Sequence, residues 1–123
     1  MRTILVVDDV PEILQLLARV FSGAGYEVTK APDAESALRC LTERFDVVLS
    51  DMNMPGMTGC ELAQWLAAHW PATQTVLMSA YEAPCDACPY SPRCTFVRKP
   101  FRLEEILAVV EHASRQRKQR DEI

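Results

Sequence analysis

Short apolar runs and amphipathic stretches alternate along the chain. Thr3–Val7 is an apolar run that ends in two acids, the pattern of a buried strand. From Pro11 to Ser22, the residues Ile13, Leu14, Leu17, Ala18 and Phe21 recur at spacings of three and four, which predicts a helix. Pro11 stands at its start, where a missing N–H costs nothing, and Gly23 and Gly25 close it. Tyr26–Lys30 reads as a short strand, and Asp33 is placed to cap a helix to about Glu43 whose apolar face is Ala34, Ala37, Leu38 and Leu41. Asp46–Ser50 contains Val47-Val48-Leu49 and leads into Asp51, a third strand. After a Pro-Gly loop, Thr58 opens a helix to roughly Trp70, stopped by Pro71. Thr75–Ser79 and Thr95–Arg98 predict two more strands, and Arg102–Arg115 a final helix with Leu103, Ile106, Leu107, Val110 and Ala113 on one face. Mostly apolar strands alternating with helices predict an α/β domain, a parallel sheet covered on both faces. No repeat, linker or low-complexity tract interrupts the pattern, and a polar tail with Arg115, Arg117, Lys118 and Arg120 follows Ser114.

The 123 residues fit one domain, and 49% hydrophobic with 24% charged residues is ample to bury a core. Thirteen Lys and Arg against seventeen Asp and Glu give a net charge of −4, which disfavours nucleic-acid binding. No apolar run approaches the roughly 18 residues of a membrane span, and the first apolar run is too short for a signal peptide. A cytoplasmic location is expected. In such a compartment the odd count of five cysteines argues against a disulfide framework and favours buried thiols, a metal site or redox chemistry.

Asp8 and Asp9 follow the first strand, Asp51 the third, and Lys99 the fifth, while Ser79 ends the fourth. Ligands of open parallel sheets bind at the carboxyl ends of the strands, so these residues are expected to converge on one crevice. Three carboxylates together are unfavourable unless a cation accompanies them, and Mg2+ prefers such oxygen ligands. A carboxylate also attacks phosphorus to give an acyl phosphate, with an ammonium and a hydroxyl to balance charge on the transferred oxygens.

Four fragments carry a resemblance: Ile4-Leu5-Val6-Val7-Asp8-Asp9, Asp51-Met52-Asn53-Met54-Pro55-Gly56-Met57-Thr58-Gly59, Met78-Ser79-Ala80 and Lys99-Pro100-Phe101. In this order and at these intervals the chain resembles the receiver domain of two-component response regulators. The resemblance spans about residues 2 to 116, so the expected organisation is a receiver domain over 1–116 and a polar tail over 117–123. It implies a flavodoxin-like, doubly wound sheet of five parallel strands in the order 2-1-3-4-5. It further implies Asp51 as phosphoacceptor, Asp9 as a direct Mg2+ ligand, Asp8 acting largely through water, and the backbone carbonyl of Asn53 completing the coordination with Asp51. Lys99 would contact the phosphoryl group and Ser79 would move toward it. Phe96 occupies the switch-aromatic position, Pro100 the position of a cis-proline, and Asn53 and Tyr81 positions that tune the phosphoryl lifetime, with small Ala80 leaving access. The implied partners are a sensor histidine kinase or phosphotransfer protein, an output partner or domain of unknown kind, and a second copy in a homodimer. The implied role is regulatory rather than enzymatic, although such domains assist their own phosphorylation and dephosphorylation.

The chain departs from that pattern between Ser79 and Lys99. Pro84, Pro89 and Pro92 each remove a helical donor and disfavour helix before them, so the helix usual between the fourth and fifth strands is expected to be disrupted or replaced by a Pro/Cys-rich loop. The spacing Cys85-x2-Cys88-x5-Cys94 suits thiolate coordination of zinc or an iron–sulfur cluster, with Cys60 the best remote fourth ligand and Asp86 behind it. A disulfide or free thiols are the alternatives. The competing function is therefore a cysteine-based redox or metal sensor on a receiver scaffold, with Asp51 vestigial. A metal-dependent phosphohydrolase is weaker, since Asp8-Asp9-Val10-Pro11 lacks the motif expected to follow such a nucleophile.

Overall fold

A computed structural model describes residues 2–79 and 94–121. Five strands, β1 (Thr3–Val7), β2 (Glu27–Ala31), β3 (Val47–Asp51), β4 (Gln74–Ser79) and β5 (Cys94–Arg98), form one sheet in the order β2-β1-β3-β4-β5. Every pairing is parallel. The helices α1 (Pro11–Gly23), α2 (Ala34–Cys40), α3 (Gly59–His69) and α4 (Leu103–Asp121) complete the described elements. This is the flavodoxin-like order that the resemblance implied.

Strand side chains alternate between the two faces, which explains why runs without polar interruptions were needed. On one side Ile4, Val6, Val47, Leu49, Val76 and Met78 pack with Leu17 and Phe21 of α1 and Ile106 and Val110 of α4. On the other, Leu5, Val7 and Val48 pack with Ala34 and Ala37 of α2 and Leu62 and Leu66 of α3. All six residues of β4 are buried. At the amino ends of the strands, Thr3 and Asp46 fasten β1 to β3. The Thr3 N–H donates to Asp46 Oδ2 at 2.8 Å, and the Asp46 N–H donates to Thr3 Oγ1 at 3.0 Å. The Gln74 N–H donates to the Asp46 carbonyl at 3.1 Å, which brings β4 into the same register.

Helix starts follow sequence signals. Asp33 accepts from the Ser36 N–H at 2.7 Å, and Thr58 forms a capping box with Glu61 at the start of α3. Three limits differ from those read in the sequence. Helix α2 stops at Cys40 rather than near Glu43, because Leu41 leaves the helical path to bury itself with Phe45 while its N–H still bonds Ala37 and Leu38. Helix α4 continues through Asp121 rather than ending near Arg115, since a polar sequence without Gly or Pro gives the backbone no reason to stop. Strand β2 runs one residue later than expected, with Tyr26 instead buried edge-on against Phe21. The expected replacement of the helix between β4 and β5 lies outside the described residues.

Gly59, at the start of α3, lies hard against the end of β3. A Cβ there would stand 2.6 Å from the Asp51 carbonyl oxygen and 2.8 Å from Met52 Cα, both backbone atoms. Gly23, at the end of α1, has nothing within 4 Å of its Cβ position. We expect Gly59→Ala to cost about 1–3 kcal/mol, as overpacking does, and Gly23→Ala to be neutral or to stabilise by about 0.5–1 kcal/mol. Urea midpoints at unchanged slope measure both; equal effects from the two substitutions would contradict the packing described.

Candidate functional site

The register of the central strands sets the site. Val7 pairs with Ser50 and Asp51 with Met78, so the residues that follow β1 and end β3 and β4 stand side by side at one rim. The Lys99 N–H donates to the Ser79 carbonyl at 2.8 Å, which brings the end of β5 to the same rim. The Lys99–Pro100 peptide is cis. Lys99 Nζ lies 3.3 Å from Asp8 Oδ2 and 3.5 Å from Asp51 Oδ1, joining two carboxylates that are 43 residues apart in sequence.

Asp8 is fully buried and also accepts from the Val10 N–H at 2.9 Å. Neither Asp8 nor Asp9 caps α1, whose N-cap is Val10. Asp9 is exposed, yet one oxygen from each of Asp8, Asp9 and Asp51 falls within 4.8 Å of the others. Burial pushes the Asp51 carboxyl above its ordinary value, and the charges of Asp8 and Asp9 add to that. The Lys99 ammonium and the Asn53 N–H, 3.4 Å from Asp51 Oδ1, pull the other way.

Among the described residues, three carboxylates against one ammonium leave excess negative charge in an oxygen-only donor set. A hard divalent cation with oxygen coordination, such as Mg2+, fits these residues. Among the described residues this is the one cluster of His, Cys, Asp or Glu so arranged. An open groove of about 430 Å3 between α1 and β2, lined in part by Gln15, Arg19 and Lys30, includes none of them.

The structure thus brings together Asp8, Asp9, Asp51 and Lys99, with buried Ser79 at the end of β4. Asn53 is exposed beside Asp51, and Phe96 is half-buried on β5 opposite Leu77. Cys60 is half-buried in the first turn of α3, and Cys94 opens β5. Cys85, Cys88, Asp86, Ala80 and Tyr81 lie outside the described residues, and nothing among the described ones supports zinc or an iron–sulfur cluster. Sequence reading missed Ser50, a fully buried residue whose Oγ donates to the Asp51 carbonyl at 2.9 Å. Its signal was a lone hydroxyl closing the apolar run Val47-Val48-Leu49.

A family model described as the response regulator receiver domain matches residues 4–111. The chain is 32% identical to the Arabidopsis thaliana two-component response regulator ARR11 over 94% of its own length and 23% of the relative's. It is also 32% identical to the regulatory protein AtoC of Escherichia coli, over 98% of this chain and 27% of that one. It therefore spans about a quarter of the length of these curated relatives. Among solved structures, the response regulator protein TrrA of Thermotoga maritima, in complex with Mg2+ and BeF, superposes with a TM-score of 0.82 at 31% identity, covering 92% of this chain and 99% of that one.

A raised carboxyl pKa means that the folded protein holds a proton the unfolded chain has already released. Stability therefore falls as pH rises from the ordinary value of 3.8 through the raised one, and the loss persists at neutral pH. Without divalent metal, we expect Asp51→Asn to be more stable than wild type at about pH 7, with the gap closing below about pH 4. Urea denaturation in a chelator at both pH values measures this; a wild type more stable than the variant at neutral pH would contradict the site electrostatics.

Proposed function

The chain belongs to the response regulator receiver domain family, and from that premise we propose that it is regulated by phosphorylation of Asp51. The observation that carries this reading is Lys99 Nζ within 3.5 Å of Asp51 and 3.3 Å of Asp8, beside a cluster of three carboxylates. The phosphoryl donor is a phosphohistidine of a sensor kinase or phosphotransfer protein. An Asp51 carboxylate oxygen attacks phosphorus, the P–N bond breaks, the imidazole leaves, and Asp51 becomes an acyl phosphate.

Asp9 would ligate Mg2+ directly and Asp8 largely through water, with Asp51 and the Asn53 carbonyl completing the protein's share. Bound there, the ion supplies positive charge beside the oxygens of the transferred group. Lys99 supplies an ammonium beside Asp51 and pairs with buried Asp8. Ser79, buried at the end of β4, turns its hydroxyl to the phosphoryl oxygens. Phe96, on the strand paired with β4, then changes its packing and alters the surface offered to an output partner or domain, or to a second copy. The role is regulatory, the domain assists its own phosphorylation and hydrolysis, and it acts in the cytoplasm.

Incubation with labelled acetyl phosphate tests this. We expect Mg2+-dependent labelling of wild type, none of Asp51→Asn, and labelling of Lys99→Ala slowed at least about tenfold, as removal of a positioned charge-stabilising group does. Absence of label in folded wild type would overturn the reading and favour a vestigial Asp51.

A further inference from the structure

The peptide unit that joins Asp51 to Met52 is gripped at both ends. Its N–H, on Met52, donates to the Met78 carbonyl of β4 at 2.8 Å. Its carbonyl, on Asp51, accepts from Ser50 Oγ at 2.9 Å. The β1–β3 pairing ends with Val7 opposite Ser50, and the Asp8 N–H turns to Ala31 of β2 instead, so Asp51 stands one residue past the end of that ladder. The Ser50 hydroxyl takes the place of a ladder donor there. On the remaining side, the Gly59 N–H donates to the Met52 carbonyl at 3.1 Å, and the absence of a Cβ lets α3 close against the same peptide unit.

Ser50 is fully buried on a strand of apolar neighbours, where a valine would bury more hydrocarbon. The hydroxyl gives something a valine lacks, a partner for a buried carbonyl. That carbonyl belongs to the residue whose carboxylate faces Lys99, and its tilt sets the direction in which the Asp51 side chain leaves the backbone.

We propose that Ser50 is a positioning residue for phosphoryl transfer, fixing the Asp51–Met52 peptide so that the Asp51 carboxylate is held in line with the incoming phosphorus. The proposal rests on Asp51 being the phosphoacceptor. A misplacement of about 1 Å in a reacting group costs up to about a hundredfold in rate, so a hydrogen bond that touches no substrate is enough to govern the reaction.

Ser50→Thr and Ser50→Val add the same bulk and differ in the hydroxyl alone, which separates positioning from packing. Labelling by acetyl phosphate at saturating Mg2+ is measured for both well below their thermal midpoints, together with the midpoints and the Met52 and Gly59 amide resonances. We expect Ser50→Val to show a maximal rate about tenfold below that of Ser50→Thr, an unchanged half-saturating acetyl phosphate concentration, and a shifted Met52 amide that returns toward its wild-type position in Ser50→Thr. Equal maximal rates for the two folded variants would overturn the proposal, as would a lower thermal midpoint for Ser50→Val with no change in rate. Unlabelled wild type overturns the phosphoacceptor reading together with this one, whereas labelled wild type with equal variants overturns this one alone.

Discussion

Asp8 follows β1 and Asp51 ends the neighbouring β3, both removed from solvent, and two carboxylates so placed repel one another while each loses hydration. The surrounding architecture answers that conflict. Lys99 arrives from β5, two strands away from β3, and stands within ion-pair distance of both acids. It gets there because β4 lies between the two and its terminal carbonyl accepts the Lys99 N–H. Moving β5 away from β4 would separate the cation from its two anions. Among the described residues Lys99 lessens this charge imbalance without removing it, and this leaves the three carboxylates receptive to a divalent cation.

Rigidity is what keeps such an arrangement together. The two apolar faces of the sheet bury Ile4, Val6, Leu49 and Val76 on one side and Leu5, Val7 and Val48 on the other, so the strand ends cannot drift apart to relieve repulsion. Around Asp51 the restraint becomes local. Ser50, Met78 and Gly59 each make contact with the backbone beside the carboxylate.

Most of this was legible in the chain because strand ends and charged residues coincide. Asp8 and Lys99 come directly after strands and Asp51 ends one, and a parallel sheet sends its strand ends to a common rim, so the convergence of these residues followed from the pattern before any contact was known. Helix starts were legible for a related reason, since Asp33 and Thr58 act through bonds within three residues. The ends of α2 and α4 were not, because they depend on tertiary burial of Leu41 in the first case and on the lack of any stop signal in the second. Ser50 escaped notice because its partner is a backbone carbonyl: one-dimensional text shows the hydroxyl but not the acceptor, lying past the end of the β1–β3 ladder, that gives it meaning. The cysteines beyond Ser79 stood out in the text by spacing alone, and spacing carries no information on which other ligands fold toward them.

The reciprocal Thr3–Asp46 bonds lie at the opposite end of the sheet from the acids. Alignment of β1 with β3 is therefore secured away from the acids, and Gln74 extends the fastening to β4. A consequence is modularity: the register of β1, β3 and β4 has a fastening of its own, separate from the connections at the acidic rim. A scaffold anchored in this way at its base can acquire new surface chemistry in its upper loops while the placement of Asp8 and Asp51 beneath them stays in step.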